Sequence, residues 1–290
     1  MPVEMPILFC GLVLFCIGAV SSKCSLSSDV DIVVYSATGE GGVGDNSDRW
    51  TRMFFSWLST ANSRLKVEFV VDPREISAYY TDGCKLRDFT SLKLWVSPGG
   101  SADNQTASLG PGGRDNILDF ADTPQGHIMA TCAGFYYMAG SYWWYNEFFP
   151  INWAPHFWPT VEGPISDIAA YPLYSPVKLS DGRTVLYWGG PTIGMNNTAG
   201  AVPNGGVELV AFDAPFLPRS LGAAFSYVGA HVKALFNSPH PEAVAGSGIS
   251  CSPPLPSGCI TSQDQLANWK WLAAAVNSLT GEKWIIPDKL

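Results

Sequence analysis

The sequence predicts an α/β protein built on a mainly parallel central sheet with helices on both faces. Three observations predict it. Short, wholly apolar runs recur along the first half, as strands buried on both faces require. Helical patterns alternate with these runs at the spacing of strand–helix–strand units. Charged residues make up only 14% of the chain, against about a quarter in an average domain, which suits strands with no wet face.

The first strand is expected at Val30–Tyr35 (VDIVVY), followed by a polar, glycine-rich loop over 36–48. A helix over Arg49–Ala61 follows, with Asp48 as its expected N-cap. Lys66–Val71 reads as the second strand and Leu92–Val96 as the third, which Ser97-Pro-Gly-Gly stops abruptly. Residues 76–84 fit neither pattern, and 101–112 read as loop ahead of a helix over 112–122. His127–Thr131 is the fourth strand and leads to Cys132, with a helix expected over Ala133–Tyr142.

The second half differs. Val177–Leu179 and Thr184–Trp188 flank Ser180-Asp-Gly-Arg, a hairpin signal. Gly206–Phe212, Leu221–Tyr227 and Val232–Phe236 are further strands. Gln263–Asn277 is an amphipathic helix capped near Ser262 and stopped by Gly281. No internal repeat or linker divides the chain, so residues 23–290 are expected to form one domain.

Composition excludes some classes. At 47% hydrophobic the chain is not disordered, and 17 basic against 25 acidic residues leave no basic stripe for a nucleic acid. Residues 7–20 (ILFCGLVLFCIGAV) are continuously apolar, too short to span a bilayer comfortably and the length of a secretory core. Ala19, Ser21 and Ser22 supply the small residues of a cleavage site, although Glu4 stands where a Lys or Arg is usual. Residues 1–22 are therefore expected to be a signal peptide. The protein would be secreted or lumenal, with no membrane attachment after cleavage; a signal anchor is the alternative.

Removing that segment takes Cys10 and Cys16 from the seven cysteines. Secretion permits disulfides. Cys251 and Cys259 bracket a Pro- and Ser-rich loop and are the expected pair, with Cys24–Cys84 a weaker one. Cys132 is then left over, a flag for a reactive thiol. No Cys-x-x-Cys spacing exists, so no metal site is expected, and no cofactor. Asn104 and Asn196 head glycosylation sequons.

Strand, tight turn and helix around Ala130-Thr-Cys-Ala-Gly134 have the pattern of a nucleophile elbow. Such a turn holds a thiol at a helix start and points the Ala133 N–H at an oxyanion. A buried, inert cysteine at a strand end gives the same local pattern. A thiol nucleophile needs a base and a group to orient it. His240 follows an apolar strand, and Pro241 biases it toward extended backbone, which would place Glu242 on the same side of the chain. An incidental surface His and Glu is the plainer reading. Gly99 or Gly100, at the end of the third strand, could donate a second oxyanion hydrogen bond, or could simply end the strand. All three pieces lie at carboxyl ends of predicted strands, where open α/β sheets place their sites.

Six segments in order carry a resemblance: VVYSATGEGG (33–42), WVSPGGSAD (95–103), SLGPGGRDNILDF (108–120), HIMATCAGFYYMAG (127–140), VLYWGGP (185–191) and ALFNSPHPEA (234–243). Together they resemble the class I glutamine amidotransferase-like superfamily. Within it they look most like the amidotransferase-like N-terminal domain of eukaryotic biotin–protein ligases and its stand-alone relatives. The resemblance covers residues 30–245 and implies a flavodoxin-like three-layer α/β/α sandwich. It also implies Cys132 as nucleophile, His240 as base, Glu242 as orienting carboxylate, and Gly99 or Gly100 with Ala133 as oxyanion hole. Ala130 departs from the glycine usual at that position. Residues 246–290 are too few for an adenylate-forming half, so biotin ligation is not expected.

The expected partner is a small-molecule or peptide substrate, attacked at an amide or γ-glutamyl carbonyl. A non-catalytic small-molecule or glycan-binding protein that keeps the fold is the alternative. An aromatic block over 136–158 is read either as a core layer or as a cleft wall. In the second case Tyr136, Trp143, Trp144 and His156 would face the substrate.

Overall fold

The computed structural model describes residues 24–144, 147–158, 161–162, 174–191, 207–213, 221–228, 231–251 and 259–290. The expected leader lies outside these residues. Among the described residues no helix is long and apolar enough to cross a membrane.

The strands in chain order begin with β1 (Ile32–Tyr35), β2 (Val67–Val70), β3 (Leu94–Ser97) and β4 (His127–Thr131). Next come β5 (Ser141–Trp144), β6 (Glu147–Pro150), β7 (Val161–Glu162), β8 (Ser175–Lys178) and β9 (Thr184–Tyr187). The last are β10 (Val207–Ala211), β11 (Leu221–Val228) and β12 (His231–Asn237). The helices are α1 (Asp45–Thr60), α2 (Arg74–Ser77), α3 (Ala102–Ala121), α4 (Ala133–Met138) and α5 (Ser262–Thr280).

A seven-stranded sheet runs β10-β11-β12-β4-β3-β1-β2. Its last five strands are mutually parallel, and β11 and β10 extend it antiparallel at one edge. Alternation along the parallel strands divides the core in two. Ile32, Val34, Leu94, Val96, Met129 and Leu235 face α1 and α5, meeting Trp50, Phe54, Trp269 and Leu272. Val33, Tyr35, Trp95, Ile128, Ala130 and Phe236 face α3 and α4, meeting Leu109, Ile117, Phe120 and Phe135. The chain is thus a three-layer α/β/α sandwich with a flavodoxin-like central sheet.

Several boundaries differ from expectation for identifiable reasons. Helix α1 starts at Asp45 after Gly44, and Asp48 is not its cap, because the Asp48 carboxylate is taken by Ser36 and by Arg52, at 2.9 Å from Arg52 Nε. The 101–112 segment is helix rather than loop. Ser101 Oγ accepts from the Asn104 N–H and starts α3, and the non-helical backbone at Gly110, followed by Pro111, breaks it into two helical halves across a kink. The helix after Cys132 stops at Met138, and β5 then pairs with β6 and β7 in a separate small sheet. Thr261, not Ser262, caps α5, in a reciprocal capping box with Asp264.

Of the two expected cysteine pairs, the weaker one is present and the stronger one is not. Cys24 and Cys84 are joined, with Cα atoms 4.7 Å apart. Cys251 and Cys259 are not joined; both are buried free thiols. Burial, and then hydrogen bonding with Cys251, pushes the Cys259 thiol up to about 12. They stand as hydrogen-bonded neighbours, and Cys259 Sγ also donates to the Ile249 carbonyl at 3.7 Å.

Leu272 has no exposed surface and joins α5 to the sheet. Leu272→Ala is expected to lower unfolding stability by about 2–5 kcal/mol, because the deleted methyl groups leave a cavity in a packed layer. Equilibrium denaturation in urea measures it.

Candidate active site

The ends of β3, β4 and β12 lie side by side, and each delivers one part of the site. Beyond β4, Cys132 adopts φ 52°, ψ −112°, a conformation that a side chain rarely accepts. Neighbouring contacts hold it there. The Cys132 N–H donates to the Asn237 carbonyl of β12 at 2.9 Å, and its carbonyl accepts from Phe135 and Tyr136 as α4 begins. Gly134 makes the turn feasible: a Cβ there would sit 2.0 Å from the Ser97 carbonyl oxygen. Ala130, where glycine is usual, is fully buried between Ser97 and Phe236 without disturbing the register.

His240 arrives from β12. Its N–H donates to the Leu186 carbonyl at 2.7 Å, and its ring Nδ1 lies 2.9 Å from Glu242 Oε1. Both side chains are essentially excluded from solvent. The backbone between them is not the extended segment expected. The Ala243 N–H donates to the His240 carbonyl at 3.2 Å, so a turn folds Glu242 back onto the ring. Ser47 Oγ is 3.4 Å from the same Nδ1, and Trp50 meets the ring edge-on at 5.6 Å. Both come from α1, and no sequence signal marked them beyond an apolar helix face. Trp269 Nε1 donates to the Glu242 carbonyl at 3.0 Å, so α5 also anchors the turn.

Burial alone would discharge His240. The neighbouring Cys132 sulfur and then the Glu242 carboxylate, through charge and hydrogen bonding, outweigh it and hold the ring well above its ordinary 6.5. The sulfur is turned toward the Trp188 carbonyl, at 3.3 Å. Nε2 has no hydrogen-bond partner of good geometry among the described residues.

The two glycines after β3 have different places. Gly99 is pressed against the site: a Cβ would lie 2.7 Å from His240 Cε1 and 3.2 Å from Cys132 Cβ. Its carbonyl accepts from Gly44 N–H, and Ser101 N–H donates to the Gly42 carbonyl, so the bridge between Val43 and Gly100 is made by the flanking residues and not by the Gly100 N–H. Gly100 and Ala133, but not Gly99, line a cleft of about 410 Å³ in front of Cys132.

The aromatic block divides. Tyr136, Tyr142 and Phe149 line the cleft with Trp188 and Asp103, while Tyr137, Phe157 and Trp158 are buried in the core. His156 is exposed and lies apart from the cleft lining, so it does not face the substrate as expected. Trp143 and Trp144 lie on β5, and their side chains are outside the described structure. Asn104 is exposed in the first turn of α3, although Thr106 of its sequon is buried, and Asn196 lies outside the described residues.

Structural comparison gives the α/β/α sandwich a likeness. A solved structure, "Crystal structure of glutamine amidotransferase", is similar over 86% of this chain and 98% of that chain, with a TM-score of 0.50 and 14% sequence identity. The chain therefore has an amidotransferase-like fold. No protein-family model and no curated protein matches it in sequence.

The charge on His240 is directly testable. Its contribution to stability should be fully present below pH 6.5 and be lost as pH rises through the elevated native value. Ring ¹⁵N shifts should report an imidazolium at pH 7, and Cys132→Ser should bring the titration down. A neutral ring at pH 7 in the native chain would contradict the site's electrostatics.

Proposed function

We propose that the protein is a cysteine-nucleophile hydrolase of an amide or γ-glutamyl bond, secreted or lumenal, and related in its site to the amidotransferase-like domain of biotin–protein ligases. One observation carries the reading: Cys132 is held at a strained elbow beside a buried His240 whose far nitrogen is fixed on Glu242 at 2.9 Å.

In this reading the Cys132 sulfur attacks the carbonyl carbon, and the oxygen takes the developing charge between the Gly100 and Ala133 N–H groups. His240, charged, gives its proton to the leaving nitrogen as the carbon–nitrogen bond breaks, which leaves a thioester. Water then attacks the thioester, His240 takes the water proton and returns it to the sulfur, and the acid departs. Glu242 and Ser47 orient the ring, and Trp50 fills the space behind it. The secretory setting rests on residues 1–22 and on the Cys24–Cys84 bridge, which suits an oxidising compartment.

Iodoacetamide at pH 6.5 should modify Cys132 ahead of Cys251 and Cys259. His240→Ala should remove that selectivity and lower amide turnover by roughly 10²–10⁴-fold, the range of general acid–base catalysis. Modification of Cys132 no faster than free cysteine would count against a catalytic thiol and favour a binding protein.

A further inference from the structure

Aromatic rings and one carboxylate wall the cleft beside Cys132. Tyr136 and Tyr142 meet edge to face at 5.1 Å, and Tyr142 stacks on Phe149 at 5.2 Å. Trp188 adds a fourth ring, itself stacked on Tyr174 at 4.9 Å. Asp103, in the first turn of α3, is the charged side chain of the lining. It sits close enough to the Tyr142 phenol that, after burial, its charge is what raises that group.

No Lys or Arg lines the cleft among the described residues. The sequence carries the point further, because none occurs between Arg114 and Lys178 or between Arg183 and Arg219. These stretches hold the nucleophile, the aromatic block and Trp188. The flanking cations within the described residues are engaged: Arg114 with Asp115, Lys178 with Thr184, and Arg183 with Asp181 and the Trp271 ring; Arg219 lies outside those residues.

A substrate carboxylate entering this cleft would find no Lys or Arg among the described lining residues and would face Asp103. An ammonium or guanidinium would meet aromatic faces and a counter-ion. We propose that the acyl donor is an amide bearing a cationic group and no free α-carboxylate, with Asp103 and the Tyr136–Tyr142–Phe149–Trp188 wall selecting the cation. This rests on the hydrolase reading and narrows it. A cleft of about 410 Å³ accommodates a ligand the size of a capped amino acid. Hydrolysis of such an amide adds water across the carbon–nitrogen bond, releases an amine or ammonia, and creates a carboxylate that Asp103 repels, which favours product release.

The test compares three amides on the full chain: Nα-acetyl-lysinamide, its uncharged counterpart Nα-acetyl-norleucinamide, and free glutamine. The lysine amide should exceed the norleucine amide in kcat/KM by roughly tenfold, and glutamine should be poorest. Asp103→Asn should shrink the lysine-to-norleucine ratio. Added salt should shrink the same ratio in the unaltered chain, which keeps the test independent of how the variant folds. Equal or reversed preference would overturn the inference. Calorimetric titration of Cys132→Ala with the same three compounds separates the two claims. Selective binding of the lysine amide without turnover by the native chain would leave the cation site standing and remove the hydrolase. Turnover that favours glutamine or the norleucine amide would do the opposite, and absence of both turnover and binding would overturn the cation site.

Discussion

One row of the parallel sheet sets the whole site. Ser97 of β3 and Phe236 of β12 both pair with Ala130 of β4. Two residues beyond that row stand Gly99, Cys132 and Ser238, and His240 follows two residues later. Strands in parallel register end at a common level, so equal steps beyond the row bring these residues together without a long loop. A slip of one residue would turn Cys132 to the other face and separate it from His240. The tie from Cys132 N–H to the Asn237 carbonyl and the contact of Gly134 with the Ser97 carbonyl extend the same register into the turn. The strain at Cys132, of order 1–3 kcal/mol, is borne by this over-determined junction.

Electrostatics depends on the same junction. His240 and Glu242 are removed from water, where an isolated charge is costly. Their contact, the neighbouring sulfur and the Ser47 hydroxyl replace solvent around the ring. Each comes from a different part of the chain: the turn after β12, the end of β4, and α1. The ring stays charged because the Cys132 sulfur and the Glu242 carboxylate outweigh desolvation, the first reaching it from the neighbouring strand end and the second through the local turn. The elbow register is thus what brings sulfur and imidazole together, and the turn at Ala243 is what supplies the carboxylate.

The parallel strands were legible because burial on both faces leaves an unbroken apolar run, and His127–Thr131 matched its predicted bounds. Cys132, His240 and Glu242 were legible for a related reason: each follows directly from such a strand. What was not legible depended on side chains choosing among several local partners. Asp48 bonds Ser36 and Arg52 instead of capping α1, Ser101 starts α3 in a stretch that reads as loop, and Thr261 displaces Ser262 as a cap. Ser47 and Trp50 were hidden because a helical face aimed at the core and one aimed at a buried His have the same pattern. Gly99 and Gly100 could not be told apart until the fold placed Gly100 in the cleft lining and Gly99 against His240 and Cys132.

The aromatic block, ambiguous between core and wall, is both, and helix geometry explains why. Phe135 and Tyr136 are adjacent on α4, so their side chains diverge by about 100°. Phe135 turns inward, stacking on Phe236 at 4.6 Å and meeting Trp158 edge-on at 5.5 Å, which buttresses α4 against β12. Tyr136 turns to the cleft, where its hydroxyl donates to the Gly189 carbonyl at 3.2 Å and its ring meets Tyr142. The six-residue helix is too short to be stable on its own propensity. It is held by aromatic packing on one side while presenting an aromatic wall on the other. The residues that fix the nucleophile's turn are therefore continuous with those that meet the ligand, so a change in the wall is coupled, through α4, to the geometry of Cys132.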